Sequence, residues 1–294
     1  MKVLLFGGSG LVGSGFIEEF DETLEIEAPR AEAVDILDKD AISKIVNEFN
    51  PDSVVNFAAF TNVEEAENQK DDKNGLAYKI NVLGAKNVAE VCKESIKHLV
   101  HISTEYIFDG NKENSPYTEE DKPNPINWYG QTKYLGEQAV LEIGAKSVIV
   151  RISMPYSSFY ELKVDIARFF LNQLKKGKQI KAIEDQNITP TLVSDIVKAI
   201  SGIAAAKLKG IYHVSARDTT TPLDFVKTIA ETFSLDYSLI SGVSFKEYNS
   251  RKKAKLLKNS WLNPTKFEKE FGEGILHTVE EELVIFKKEI DERS

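Results

Sequence analysis

The sequence predicts an α/β protein built on a doubly wound parallel sheet, with a smaller C-terminal domain beside it. Short apolar runs alternate with amphipathic stretches along the chain, which is the order that a parallel sheet with helices on both faces requires. The chain has 294 residues, more than one compact core usually holds, so two domains with a cleft between them are expected. A glycine-rich turn directly follows the first apolar run.

The apolar runs predict the strands of the sheet. Five runs are interpreted as buried strands because they are short and rich in valine, leucine and isoleucine, and a second-strand region lies between the first two. In chain order they are Val3–Phe6, Leu24–Ile26, Val54–Phe57, Leu99–Ile102, Val148–Ile152 and Ile211–Val214. Ligands bind at the carboxyl ends of the strands in such sheets, so the residues just after these runs are where a site is expected.

The helices and the domain boundaries follow from periodicity and from the prolines. Ala77–Glu94 has apolar residues at helical spacing and predicts one amphipathic helix. Gly110–Pro125 predicts a surface loop before a helix that opens near Asn127. Further helices are expected at Val164–Lys175, Pro222–Phe233 and Pro264–Phe271. The sheet domain is assigned to residues 1–153 and 188–215, and the smaller substrate domain, interleaved with it, to residues 154–187 and 216–294.

Composition and charge argue against several classes of protein. A net charge of -9 argues against a nucleic-acid surface, which needs a concentrated basic face. No run approaches the ~18 apolar residues of a membrane span. The first predicted strand begins within a few residues of the N-terminus, where a signal peptide would need a charged region and a longer apolar region. A cytoplasmic protein is therefore predicted. The single cysteine, Cys92, excludes an internal disulfide and a cysteine-rich metal site, and its apolar neighbours favour core packing over reactivity. No metal site is predicted.

The glycine-rich turn predicts a dinucleotide site. Gly7, Gly10 and Gly13 follow the first strand and open the first helix, where glycine permits a tight turn, close approach of the backbone to phosphate, and close helix packing. The expected cofactor is NADPH or NADH, and the sheet domain is then a Rossmann-type dinucleotide-binding domain. The other interpretation is a glycine-rich turn with no ligand, because the motif alone is weak.

The segment after the second strand carries charges of both signs. The carboxylate of Glu27 would hold a ribose 2′-hydroxyl, as for NAD, whereas Arg30 would accept the 2′-phosphate of NADP. Either side chain could instead be a solvated surface charge. Asp35 and Ile36 follow and precede a helix start, where Asp35 could act merely as a loop or capping residue.

A tyrosine and a lysine predict the reacting end of the site. Tyr129 and Lys133 lie four residues apart on a predicted helix, hence on one face, and a nearby ammonium is expected to lower the pKa of the phenol. Tyr129 would then be a usable proton donor. The strand before this helix ends in Ser103 and Thr104, whose hydroxyls can reach the same edge of the sheet. Tyr248, with a lysine at the same spacing, has no such partners and is interpreted as a surface residue.

Six motifs together resemble the dTDP-4-dehydrorhamnose reductases, a branch of the extended short-chain dehydrogenase/reductases. They are GGSGLVG at 7–13, NFAAFTNVEEAE at 56–67, STEYIFDG at 103–110, WYGQTKYLGE at 128–137, DQNITPT at 185–191 and GIYHVSA at 210–216. The resemblance implies reduction of the C4 ketone of a dTDP-linked 6-deoxyhexose with NADPH or NADH. The expected partners are therefore a small-molecule nucleotide sugar and, as a further possibility, a second copy of the chain in a homodimer.

The resemblance also implies roles for individual residues. The proton donor falls on Tyr129, tuned by Thr104, and Lys133 anchors the nicotinamide ribose. Asn81 matches the asparagine that supports the lysine in the wider superfamily, although a polar residue on a helix surface is an equal alternative. Tyr129 and Lys133 also contact the cofactor, and the remaining cofactor contacts fall on Gly10, Leu11, Val12, Asp35, Ile36, Ala58, Ala59 and Phe60.

Three positions on the substrate side depart from the family pattern. Glu105 stands where the family has aspartate, Met154 where it has tryptophan, and Leu256–Leu257 where it has an Arg-Pro pair. Glu105 and Met154 are kept, with Thr104, as candidate substrate residues. A nearby basic cluster could replace the missing arginine, or could be a solvated or partner-facing segment; its members are Arg251, Lys252, Lys253, Lys255 and Lys258.

Two rival functions share this fold. A nucleotide-sugar dehydratase would need two adjacent carboxylates after the threonine, but Thr104 is followed by Glu105 and then Tyr106. A non-catalytic module is the stronger rival, because the regulatory β subunit of methionine adenosyltransferase belongs to the same branch and keeps the tyrosine and the lysine.

Overall fold

A six-stranded parallel sheet forms the centre of the computed structural model, which describes residues 1–19 and 24–293. The strands of the described residues are β1 Lys2–Phe6, β2 Glu25–Glu27, β3 Ser53–Asn56, β4 His98–Thr104, β5 Lys146–Ile152, β6 Pro155–Tyr156, β7 Ile180–Ile183, β8 Asn187–Ile188, β9 Thr191–Leu192, β10 Gly210–Val214, β11 Ile240–Val243 and β12 Asn259–Ser260. The central sheet has the order β10-β5-β4-β3-β1-β2. Each of its six strands contains or overlaps one of the predicted runs, which confirms the fold class.

Helices cover both faces of the sheet. Those described are α1 Leu11–Glu18, α2 Lys39–Phe49, α3 Val63–Asn68, α4 Leu76–Tyr78, α5 Ala85–Glu94, α6 Trp128–Ile143, α7 Ile166–Lys175, α8 Val193–Ala206, α9 Pro222–Thr232, α10 Phe245–Ser250, α11 Thr265–Phe271 and α12 Val279–Glu292. Side chains alternate along each strand, so Val3 and Leu5 face one apolar core with α1 and α8, while Leu4 and Phe6 face another with α2, α5 and α6.

The predicted helix over 77–94 is interrupted. Residues Lys79–Gly84 form a π-helical turn between α4 and α5. Such turns are frequent at functional sites because they redirect one or two side chains. The turn shifts the buried face away from the predicted one, because Leu83 is exposed whereas Asn81 and Val82 are buried.

The second core belongs to the smaller, C-terminal part of the chain. Tyr156 packs there with apolar residues of α7, α9 and α12. Three pairs of short parallel strands join distant segments: β6 with β9, β7 with β11, and β8 with β12. One element differs from the expected division, because Phe267 of α11 packs into the core of the central sheet and not into this second core. The domain limits otherwise stay a prediction.

Two buried groups stand out in the sheet domain. Arg151 of β5 forms an ion pair with Glu137 of α6, through Nε–Oε1 at 3.0 Å and Nη2–Oε2 at 2.8 Å. Their side chains are 2% and 1% exposed. Cys92 is also buried, and burial raises the pKa of its thiol to about 12, so packing is its role here. In the described ranges, no helix is long and apolar enough to cross a membrane.

Candidate active site

A cleft of about 540 Å³ lies at the carboxyl ends of strands β1, β3, β4 and β5. Most of the predicted site residues line it: Gly7, Gly10, Leu11, Val12, Gly13, Asp35, Ile36, Ala58, Ala59, Thr104, Glu105, Tyr129, Lys133 and Met154. Arg30, Phe60 and Asn81 are not among the lining residues. Both ends of the predicted site, the glycine turn and the tyrosine–lysine pair, therefore open into one cleft.

The glycine turn is shaped by backbone contacts. Gly7 has φ +83°, and a Cβ there would lie 2.5 Å from the nitrogen of Ala58. A Cβ on Gly13 would overlap the carbonyl oxygen of Gly7. Gly10 differs, because its added Cβ would meet only the Gly7 oxygen, at 3.3 Å. The fold thus needs glycine at positions 7 and 13, whereas glycine at position 10 chiefly keeps the cleft open.

This turn suits a pyrophosphate group. Gly10 is the N-cap of α1 and has no side chain to occupy the first amides of the helix. The N–H groups of a first helical turn lack partners within the helix and favour an anion. The residues present therefore fit the phosphate part of a dinucleotide.

The segment after β2 only partly matches the prediction. Glu27 ends β2 and is exposed, and Arg30 is exposed outside the cleft. Asp35 lines the cleft, and its Oδ1 accepts a hydrogen bond from the nitrogen of Leu37 at 2.9 Å. It is a loop residue and not the helix cap, because Asp38 caps α2.

Asn81 lies in the π-helical turn and holds the segment after β3. Its Oδ1 accepts from the nitrogen of Phe60 at 2.8 Å, and its Nδ2 donates to the carbonyl of Phe60 at 3.2 Å and to Oγ1 of Thr132 at 2.9 Å. These contacts use both N–H groups of the amide, and none of them is made with Lys133. Asn81 therefore does not support Lys133 directly, as the resemblance implies, but fixes the backbone at Phe60 against helix α6.

Helix α6 carries the tyrosine and the lysine. Asn127 caps it by accepting a hydrogen bond from the nitrogen of Gly130, which starts the helix at the sheet edge. Lys133 is buried, and its Nζ donates to the carbonyl of Ile102 at 2.7 Å. Burial lowers the pKa of Lys133 to about 8, while the carboxylate of Glu137 acts in the opposite direction.

The phenol of Tyr129 behaves differently from the prediction. Burial raises its pKa well above the usual range, the carboxylate of Glu105 raises it further, and a hydrogen bond with Thr104 opposes both effects. The expected lowering by Lys133 was wrong for this geometry, because the ammonium is directed to the Ile102 carbonyl. Tyr129 is thus fully protonated at neutral pH, and Thr104 is the group that eases loss of its proton.

The substrate end of the cleft is acidic and strained. Oγ1 of Thr104 donates to Oε2 of Glu105 at 2.7 Å. Burial raises the pKa of Glu105 to about 7, and the Thr104 hydroxyl and the backbone N–H of Met154 oppose this. Met154 has φ +38°, in the left-handed region that a non-glycine residue rarely adopts. The ring of Tyr106 packs edge-on against Tyr129, with centroids 5.6 Å apart.

The loop 157–165 was missed at the sequence level. Its Tyr160 donates from the hydroxyl to the carbonyl of Ser9 at 3.0 Å, and Nζ of Lys163 contacts Oγ1 of Thr61 at 3.4 Å. Both side chains line the cleft. The loop follows the short strand β6, which comes directly after the carboxyl end of β5, and this position beyond a central strand is the signal that could have identified it.

The basic cluster does not reach the cleft. None of its five members lines the cavity. Arg251 pairs with Glu247 at 3.0 Å and Lys258 with Asp185 at 3.8 Å. The others contact Tyr248, Asn68 and main-chain carbonyls. The segment packs beside α3 and the start of α6, and its cations are bound to partners there. Of the lysines and arginines in the described ranges, the buried Lys133 and the exposed Lys163 line the cleft.

Comparisons with known proteins agree with this arrangement. Residues 1–289 match the family described as the RmlD substrate binding domain. The chain is 30% identical over 251 residues to methionine adenosyltransferase 2 subunit beta of Rattus norvegicus, covering 81% of this chain and 73% of that protein. It is 28% identical over 284 residues to a dTDP-4-dehydrorhamnose reductase of Aggregatibacter actinomycetemcomitans, covering 92% and 93% of the two chains.

A solved structure matches almost the whole fold. It is the dTDP-4-dehydrorhamnose reductase of Bacillus anthracis in complex with NADP, with a TM-score of 0.89, 31% identity, and coverage of 98% of this chain and 99% of that one. The family match spans nearly the full sequence, and the solved relative shares the arrangement of the elements that form the cleft. The chain therefore belongs to the RmlD substrate binding domain family, the family of the dTDP-4-dehydrorhamnose reductases.

Proposed function

We propose that this chain reduces the C4 ketone of a dTDP-linked 6-deoxysugar, with NADPH or NADH as the hydride source. The observation that carries the proposal is the convergence of the glycine turn with Thr104, Tyr129 and Lys133 in one cleft. The relative from Bacillus anthracis with NADP bound supports the cofactor, and the named reductases support the substrate class.

The residues divide the work between binding and proton transfer. When bound, a reduced nicotinamide would supply a hydride to the ketone carbon. The turn at Gly10 would bind its pyrophosphate, and Lys133, buried beside the carbonyl of Ile102, would hold the ribose. Tyr129 would give its proton to the ketone oxygen, with Thr104 bound to the phenol. This division follows general acid catalysis, in which the donor must lie within hydrogen-bond reach of the oxygen.

A cofactor-loss assay tests the proposal. The full chain is mixed with NADPH or NADH and a dTDP-4-keto-6-deoxysugar, and loss of absorbance by the reduced cofactor is followed. The parent should turn over, and Tyr129→Phe should lower kcat on the order of 10²–10⁴-fold, because the ring packing remains and the proton donor is lost. Cofactor affinity measured by calorimetry should stay unchanged. Turnover of the Phe variant at the parent's rate would show that Tyr129 is not the acid.

A regulatory role is the second candidate. The 30% identity to methionine adenosyltransferase 2 subunit beta favours it, since that relative is named as a subunit of another enzyme. The same assay separates the two candidates: a chain that binds NADPH but consumes none of it with any keto-sugar behaves as a binding module.

Three further properties of the chain stay predictions. A cytoplasmic location, a homodimer and the absence of nucleic-acid binding follow from the composition and from the resemblance alone. Light scattering of the purified chain tests the homodimer.

A further inference from the structure

Glu105 is a buried carboxyl group beside the reacting hydroxyls. It is 3% exposed and lines the cleft. Thr104 donates to its Oε2 at 2.7 Å, and the backbone N–H groups of Glu105 itself and of Met154 donate to it as well. Buried carboxylates normally have a cationic partner. Within residues 1–19 and 24–293, no ion pair joins Glu105 to a lysine, arginine or histidine.

The charged and titratable groups around this turn do not neutralise Glu105. From α6 it faces Tyr129, and Lys133, which lines the same cleft, donates its ammonium hydrogen bond to the carbonyl of Ile102. From its own turn comes the neutral phenol of Tyr106, which Glu64 of α3 and Tyr248 of α10 also face. Apart from Lys133, whose ammonium is bound to the Ile102 carbonyl, these groups are neutral or negative, so an ionised Glu105 has three hydrogen bonds and no ion pair to stabilise it.

We propose that Glu105 is the proton reservoir of Tyr129, with the hydroxyl of Thr104 as the link between them. This inference rests on the proposed reduction. Glu105 acts through Thr104, so it is a positioning residue that also supplies a proton. The unbroken sequence of groups is carboxyl, threonine hydroxyl and phenol, all buried at the end of β4 and the start of α6.

The proton transfers balance without a further reactant. Hydride addition to the ketone carbon breaks the C–O π bond and leaves its electron pair on oxygen, which takes the phenol proton. When Glu105 is protonated, its carboxyl donates across the 2.7 Å contact, and the Thr104 hydroxyl is free to donate to the phenol. Tyr129 then takes the hydroxyl proton of Thr104, and Thr104 takes the carboxyl proton of Glu105. The ketone becomes an alcohol, the nicotinamide is oxidised, and Glu105 remains as a carboxylate that regains a proton from water through the cleft.

The acidities favour this direction. Without the Thr104 hydroxyl, the negative charge would stay on the phenol of Tyr129, whose pKa burial raises far above its usual range. An ionised Glu105 beside it would raise that pKa further. With the link, the charge lies on a carboxyl whose pKa is about 7. Because the protonated form of Glu105 is the active one, turnover should be full below pH 7 and fall as the pH rises through about 7.

A simple sugar contact by Glu105 predicts a different result. Loss of a ground-state contact raises KM and leaves kcat unchanged, whereas loss of a proton source lowers kcat and removes its pH dependence. Glu105→Gln keeps the size and a hydrogen bond to Thr104 but carries no titrating proton. It should lower kcat on the order of 10²-fold, flatten the fall of kcat through pH 7, and leave KM within about threefold. Glu105→Asp should keep the pH dependence.

Variants at the link and a matched control complete the kinetic test. Thr104→Val should lower kcat as Glu105→Gln does, and the double variant should be no worse than either, since both break one sequence of transfers. Glu119→Gln is the control, because burial also raises the pKa of Glu119 and it lies outside the cleft. That variant should retain kcat and the pH profile. A raised KM with an unchanged kcat profile in Glu105→Gln overturns the inference.

An infrared titration tests the inference without turnover. The carbonyl stretch of a protonated carboxylic acid, assigned by its loss in Glu105→Gln, should be present in the full chain at pH 6, weaken through about pH 7, and shift in Thr104→Val. If the parent reduces no keto-sugar, the proposed function fails, and this titration alone then decides whether Glu105 holds a proton that it loses near pH 7. A Glu105 that is ionised throughout pH 6–8 overturns the inference in either case.

Discussion

Replacing Glu137 by glutamine should destabilise the fold strongly. The substitution leaves Arg151, whose side chain is 2% exposed, buried without its counter-ion. Removing one partner of a buried ion pair costs about 3–5 kcal/mol, and at roughly 2 °C per kcal/mol for a chain of this size the Tm should fall on the order of 5–10 °C. Urea unfolding and a thermal scan measure the two quantities.

Two further variants show whether the unpaired charge is the cause. Replacing both partners by methionine removes the charge as well as its partner, so stability should return to within about 1–2 kcal/mol of the parent. Glu142→Gln, an exposed position on the same helix, should leave the midpoint unchanged. A loss below ~1 kcal/mol in Glu137→Gln, or a double variant as unstable as the single one, would refute the reasoning.

The same substitution should also change the pH dependence of activity. The carboxylate of Glu137 raises the pKa of Lys133, which burial holds at about 8. Without that carboxylate the pKa falls further, so Lys133 loses its charge at a lower pH. Turnover and cofactor affinity should therefore begin to fall at a more acidic pH than in the parent.

Three other predictions follow from contacts in and around the cleft. Gly10→Val should weaken NADPH binding in calorimetry with little loss of stability, because its Cβ meets only the Gly7 oxygen at 3.3 Å; unchanged affinity would contradict the phosphate site. Gly136→Ala should destabilise the fold by about 1–3 kcal/mol, since its Cβ would overlap the carbonyl of Asn81; a urea midpoint equal to the parent's would sink the packing argument. Lys163→Gln should raise KM for a nucleotide sugar or for NADPH and leave kcat unchanged, because it removes a cation from the cleft of a chain with net charge -9; an unchanged KM for both would exclude this lysine from binding.

Much of the fold could be predicted because strand and helix patterns are local. The runs at 3–6, 54–57 and 148–152 are apolar on both faces, as strands between two helical layers must be. The short strand pairs of the smaller domain could not be predicted, because their patterns are not local. A strand of two residues such as Asn187–Ile188 has no periodicity, and its partner lies about 70 residues away in the sequence.

The site was predictable in outline and not in its hydrogen bonding. Residue types and spacing identified Tyr129, Lys133 and Thr104, which line one cleft. Spacing could not show that the lysine donates to the carbonyl of Ile102 or that Asn81 binds the backbone of Phe60. Both contacts depend on where distant segments meet.

The position of strand β10 has a consequence for how this protein is made. Residues 210–214 complete the sheet beside β5, some 60 residues after it, and the chain first passes through elements of the smaller domain. A nascent chain that ends before residue 210 leaves one edge of β5 with unpaired backbone groups, which is a template for association with other strands. The cofactor half therefore cannot close during synthesis until more than two thirds of the polypeptide has left the ribosome, and C-terminal truncations before that point should accumulate as aggregates.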